Sequence, residues 1–80
     1  MAEYNGHRSW NAWNVSLWIS NDEPLYRFAM DCIKGINHNK RGLAHATRLF
    51  MRDMGGQKTP DGAVYNALSV KLCLQGLMED

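Results

Sequence analysis

The sequence predicts an all-α fold, a compact bundle of about four short helices. Three observations carry that expectation. Apolar residues recur at three- and four-residue steps over long segments, capping residues stand just before those segments, and glycines stand just after them. A chain of 80 residues forms a single domain, 1–80. At this size only about 60% of the unfolded surface is buried, so stability demands a dense core. The composition supplies one: 45% of residues are hydrophobic, among them three Trp and five Met.

The first helix is expected within Trp10–Ile19, a segment that holds Trp10, Trp13 and Trp18. Ser9 is a good N-cap, and Trp10, Trp13 and Leu17 follow helical spacing. Trp13, Val15, Leu17 and Ile19 also alternate with Asn14, Ser16 and Ser20, which suits a half-buried strand. Length and the cap favour the helix. Three indoles so close together predict that the core forms around them. The competing reading leaves Trp10 or Trp18 part-exposed as a binding anchor, because Trp is enriched at interface hot spots.

Asn21 or Asp22 caps the second helix, with Glu23 and Pro24 in its first turn. Leu25, Phe28, Ala29, Cys32, Ile33 and Ile36 give it one continuous apolar face. Gly35 lies where a left-handed terminating residue is needed. The third helix is expected over about Lys40 to Met54, with Leu43, Ala46, Thr47, Phe50 and Met54 inward and Gly55-Gly56 as its end. Thr59-Pro60-Asp61 reads as N-cap, first-turn proline and first-turn acid of a fourth helix running almost to the C-terminus. Apolar positions from Ala63 to Met78 cover more than one stripe of that helix. It is therefore expected to be central in the bundle, or else to leave an apolar strip for a partner.

Nine basic residues balance eight acidic ones, a net charge of +1. That excludes a uniformly basic nucleic-acid binder and an acidic DNA mimic, so any electrostatic function depends on where the charges lie. The third helix concentrates them. Arg41, His45, Arg48 and Arg52 are spaced +4, +3 and +4 on one helix face, opposite much of the apolar stripe. Lys34 and Lys40 are near in sequence, and no acid occurs from Lys34 through Arg52. Such a row meets an acidic protein surface or the phosphates of a nucleic acid; the plainer reading is a solvated helix face. Lys34, Lys40, Arg41, His45, Arg48 and Arg52 are the candidate partner-binding residues. An acidic face around Asp22, Glu23 and Asp31 is the alternative.

No chemistry-bearing motif is present. Cys32 and Cys73 lie far apart on apolar faces, as buried thiols do in a reducing compartment. His7, His38 and His45 show no ligand spacing with them. Gly55-Gly56 lacks the pattern of a phosphate loop. Asp22 and Glu23 at a helix start are dipole partners rather than a catalytic pair, which needs separation across a substrate. No enzyme activity and no cofactor are expected. The N-terminus shows no apolar run behind a basic start and no segment approaches a membrane span, so a cytoplasmic location, no membrane association and a monomer are expected.

Tyr4-Asn5-Gly6, then Ser9 to Trp13, then Asn14-Val15-Ser16-Leu17-Trp18-Ile19-Ser20-Asn21-Asp22-Glu23 resemble a family of small phage and mobile-element proteins. Its members commonly read Tyr-Asn-Gly, a short polar turn, an aromatic-x-Thr-Trp, then Asn-Val-Ala-Leu-Trp and Asn-Asp-Glu. This chain departs with His7-Arg8 in the turn and Ala12 before Trp13. A protein of this size and type is similar to the anti-CRISPR proteins directed against a type I-C interference complex. The resemblance implies a non-enzymatic inhibitor that binds the Cascade complex and stops it engaging target DNA. It covers about a quarter of the chain, so whatever function varies among members is expected outside it, where the basic helix lies.

Overall fold

The computed structural model describes residues 9–79; Tyr4-Asn5-Gly6 and His7-Arg8 of the N-terminal motif lie outside the described residues. Four helices follow in chain order: α1, Trp10–Asn21; α2, Glu23–Ile33; α3, Lys40–Met54; α4, Ala67–Met78. The fold is an all-α bundle. Helices adjacent in sequence pack together except that α4 also packs on α1, closing a ring, and α2 touches α4 across its centre. The fourth helix thus meets all three others, as its broad apolar surface predicts.

The first segment is a helix. Ser9 caps it, its Oγ accepting from the Ala12 amide at 3.1 Å. Its buried apolar stripe is Ala12, Val15 and Ile19, at +3 and +4 steps, and not the indoles. This corrects the expected tryptophan core. Trp10 is 39% exposed, and Trp13 and Trp18 are half-buried. Small Ala12 lies on the buried face, while the rings sit at its margins. There an indole buries its body and still places its N–H on a polar partner.

A single residue joins α1 to α2. The Asp22 amide donates to the Trp18 carbonyl at 2.9 Å, closing α1, while Asp22 Oδ2 accepts from the Leu25 amide at 3.1 Å, opening α2. Ala29, Cys32 and Ile33 are buried, with Leu25, Phe28 and Ile36 packed against them. Gly35 has φ +77°, the left-handed conformation expected of it.

Helix α3 spans the expected residues, buries Leu43, Ala46, Thr47 and Phe50, and keeps Met54 half-buried. Phe50 is at the centre of the core: its ring lies 5.1 Å from that of Phe28 and 6.1 Å from that of Tyr65.

The start of the fourth helix is not where the sequence predicts it. Thr59-Pro60-Asp61-Gly62 forms a tight turn, with the Gly62 amide donating to the Thr59 carbonyl at 2.9 Å and the Thr59 amide to the Ala63 carbonyl at 2.7 Å. Gly62, at φ +96°, turns the chain out of the helical region. Lys58 and Val64 then form an isolated antiparallel bridge, flanked by a Tyr65 amide to Gln57 carbonyl bond of 2.9 Å. The true cap of α4 is Asn66, whose side chain accepts from the Ser69 amide at 2.9 Å.

Candidate partner-binding face and groove

Two asparagines of α1 hold the hairpin. Asn11 Nδ2 donates to the Val64 carbonyl at 2.9 Å and to Ser69 Oγ at 2.8 Å, while Asn11 Oδ1 accepts from the Val64 amide at 2.8 Å. Asn14, 2% exposed, donates to Asp61 Oδ2 at 2.9 Å and accepts from the Thr59 hydroxyl at 2.6 Å. The Trp18 indole donates to the same Asp61 oxygen at 2.9 Å. These two hydrogen bonds hold the Asp61 carboxyl below its ordinary range. Asn11, Asn14 and Trp18, which lie within the family resemblance, are therefore spent on internal contacts that pin the 57–66 segment onto α1.

The basic face is built differently. Asn39 caps α3 by accepting from the Gly42 amide at 2.9 Å, and a side chain at Gly42 would overlap the Asn37 carbonyl. That close approach fixes the first turn of α3 against the connection from α2. At the other end the Gly55 amide closes on the Met51 carbonyl at 2.8 Å. On the helix so fixed, Lys40, Arg41, His45, Arg48 and Arg52 are all exposed. Among the described residues, none of them is ion-paired with a carboxylate; the pair that does form is Arg27 with Glu23, at 3.2 Å on α2. Lys40 and Arg41 moreover stand in the first turn of α3 with no acid beside them, at the positive end of the helix dipole, where a cation is disfavoured by about 0.3–1 kcal/mol.

Of the six sequence-predicted residues, Lys40, His45, Arg48 and Arg52 line hollows and Lys34 and Arg41 do not. Lys40 and Arg48 line a hollow of about 540 Å³ between α3 and α4, together with Leu43, Ala44, Leu68 and Lys71. His45, Arg48 and Arg52 frame a shallower one with Leu49 and Met51. Lys34, just beyond α2, and Arg41 are exposed and line neither. Lys71 and Leu68, on α4, are the members that sequence reasoning left out. The signal for Leu68 was the excess of apolar positions on that helix; Lys71 stands alone among them in sequence and joins the basic row only through the packing of α4 on α3.

Burial raises the thiols of Cys32 and Cys73 above their ordinary range, with Asp31 and Asp53 adding to the effect at Cys32 and a hydrogen bond from Ser16 opposing it at Cys73. Burial and the upward shift both oppose formation of the reactive thiolate. Among the described residues no three His, Cys, Asp or Glu side chains come together as a metal-holding group, and no helix is long and apolar enough to cross a membrane.

No curated protein and no solved structure matches the chain. One protein family does, over residues 1–80 and so along the whole sequence. The chain belongs to that family, described as a family of unknown function (DUF7249).

Proposed function

We propose that this protein is a non-enzymatic inhibitor that acts in the bacterial cytoplasm by binding the type I Cascade complex of a CRISPR-Cas system and blocking its access to target DNA. One observation carries the binding half of this reading: α3 presents Lys40, Arg41, Arg48 and Arg52 to solvent without carboxylate partners among the described residues, two of them against the helix dipole. A local rule broken at a stability cost is where a functional surface is expected. The identity of the target rests on the resemblance of Tyr4–Glu23 to the small phage and mobile-element proteins and on the chain's likeness, in size and type, to the anti-CRISPR proteins among them.

Steric exclusion suffices as mechanism, with no bond made or broken. A basic row is repelled by a basic DNA channel, so it docks on an acidic surface beside one, where charge complementarity steers encounter and sets the register. Arginine suits that task because its planar fork pairs two-pronged with carboxylates.

The test is a gel shift of target DNA by purified type I-C Cascade, with and without excess protein, beside a lane of protein and DNA alone. Loss of the Cascade–DNA band with an unshifted control supports the inhibitor, and Arg41→Glu with Arg48→Glu should restore the band. An unchanged Cascade band removes the reading for that subtype. A shift in the control lane would instead favour direct binding to nucleic acid. Three to four phosphate contacts would then give a slope of about −3 to −4 in log affinity against log salt.

A further inference from the structure

We infer that the trough between α3 and α4 takes an acidic amphipathic helix of a partner protein, its apolar side chains seated on Leu43, Ala44 and Leu68 and its carboxylates on Lys40, Arg48 and Lys71. The inference rests on the protein-binding reading above and names the chemistry of the partner segment.

Length, floor and rim each argue for it. The hollow of about 540 Å³ adjoins a second of about 350 Å³, and the two share Lys40, Leu43 and Gln75. Together they run along α4 from Leu68 to Met78, ten residue steps and so about 15 Å of helix. An elongated occupant fits that shape; a compact small molecule would leave most of it empty. The floor is apolar, and Leu68 on it is 51% exposed, the most exposed of the large hydrophobic side chains among the described residues. The rim is cationic, with no carboxylate lining the first hollow. Glu79 stands at the far end of the second.

An apolar face between basic rims calls for an occupant with apolar anchors flanked by acids, the pattern of a helix laid in a groove. A second copy of this chain is a poorer match. Self-pairing through this face lays the same patch against itself, which sets the cationic rims of the two copies, Lys40, Arg48 and Lys71, against one another. A nucleic acid would satisfy the rim but leave Leu68 and Ala44 without a partner.

The probe is a synthetic helix of about four turns, built from Leu, Ala and Glu with its acids on the two flanks, titrated into isotopically labelled full-length protein and followed by amide NMR. The expected result is movement of the Ala44, Leu68, Lys71 and Gln75 signals, with about tenfold weaker binding for Leu68→Glu and for Lys71→Glu. Lys58→Ala, at an exposed position that lines none of the hollows, should bind as the parent does. Leu68 is exposed, so its replacement keeps the fold, which the unperturbed remainder of the spectrum verifies.

Four results would overturn the inference: no movement at these residues; equal movement with polyglutamate, which lacks apolar anchors; equal movement with a single-stranded oligonucleotide; or a dimer in sedimentation that Leu68→Glu dissolves. The two readings fail separately. A peptide that seats in the trough of a protein with no effect on Cascade leaves the trough and removes the inhibitor. Inhibition that survives Leu68→Glu does the reverse.

Discussion

The side-chain amide of Asn11 makes both hydrogen bonds that a neighbouring strand would offer Val64, donating to its carbonyl at 2.9 Å and accepting from its amide at 2.8 Å. A helix side chain thus substitutes for β-pairing across 53 positions of sequence. Asn14 does the complementary work on Thr59 and Asp61. Asn11→Ala and Asn14→Ala should each destabilise by about 1–3 kcal/mol, because each strands buried or half-buried polar groups. In chemical denaturation the double variant should lose less than the sum, since both residues hold the same hairpin. Losses that add in full would mean that the two asparagines act independently.

Acid should weaken the same latch. The Asp61 carboxyl, held low by Asn14 and Trp18, binds a proton less readily folded than unfolded. Its stabilisation is therefore fully present above the ordinary aspartate range and is lost as pH falls through the lower folded value. Thermal unfolding followed from neutral pH downward should show a decline that Asp61→Asn lacks, with Trp18 fluorescence reporting on the donor side. An acid decline of the same size in Asp61→Asn would assign it to other carboxylates.

Glycine to alanine should have opposite signs at two helical positions. At Gly76, inside α4, a side chain would meet nothing within 4 Å, so Gly76→Ala should stabilise by about 0.5–1 kcal/mol. At Gly42, in α3, it would collide with the Asn37 carbonyl. There Gly42→Ala should destabilise despite the better helix propensity, lowering Tm where Gly76→Ala raises it.

Arg41 ties stability to binding. It stands in the first turn of α3 with no acid near it in that turn, so Arg41→Glu should stabilise the free protein by about 0.3–1 kcal/mol. For a domain of this length that is a rise in Tm of a few degrees. Combined with Arg48→Glu it should also weaken inhibition in the Cascade gel shift. A variant that is more stable and equally inhibitory would make the row an ordinary solvated face.

Cys32 and Cys73 are buried, with both thiols shifted upward by that burial. Alkylation by iodoacetamide at neutral pH should be slow in the native protein and fast in denaturant, with both sites reacting together once the bundle opens. Rapid native labelling of either would show that its helix opens locally.

How much of this was legible in the residues follows from where the signals were local. The stripe from Leu43 to Met54 and the stop at Gly55-Gly56 announced α3, and its bounds and inward residues stand as read; its cap, Asn39, was not singled out. Asp22 likewise marked a boundary, although not that it alone would serve two helices. The failures came where two physical signals competed. Thr-Pro-Asp is a helix start by capping rules, but followed by Gly62 it is a turn, and the glycine was the deciding residue. The indoles predicted a core by size, yet the buried stripe went to Ala12, Val15 and Ile19, whose smaller side chains let α1 lie close to its neighbours. Asn14 and Thr59 were illegible because each is buried only in company with the other, 45 positions away. The basic row was visible as a helix face; its Lys71 rim awaited the packing of α4.

The hairpin latch also sets a schedule for synthesis. Helix α1 leaves the ribosome first, yet the partners of Asn11 lie 53 and 58 positions later. At 5–20 residues per second the first of those intervals lasts about 3–10 s. Throughout it the asparagines must be satisfied by water, while α2 and α3 have no α4 to close against. A chain halted before Val64 therefore has no finished core, and its quality control begins with a half-made protein rather than with a smaller stable one.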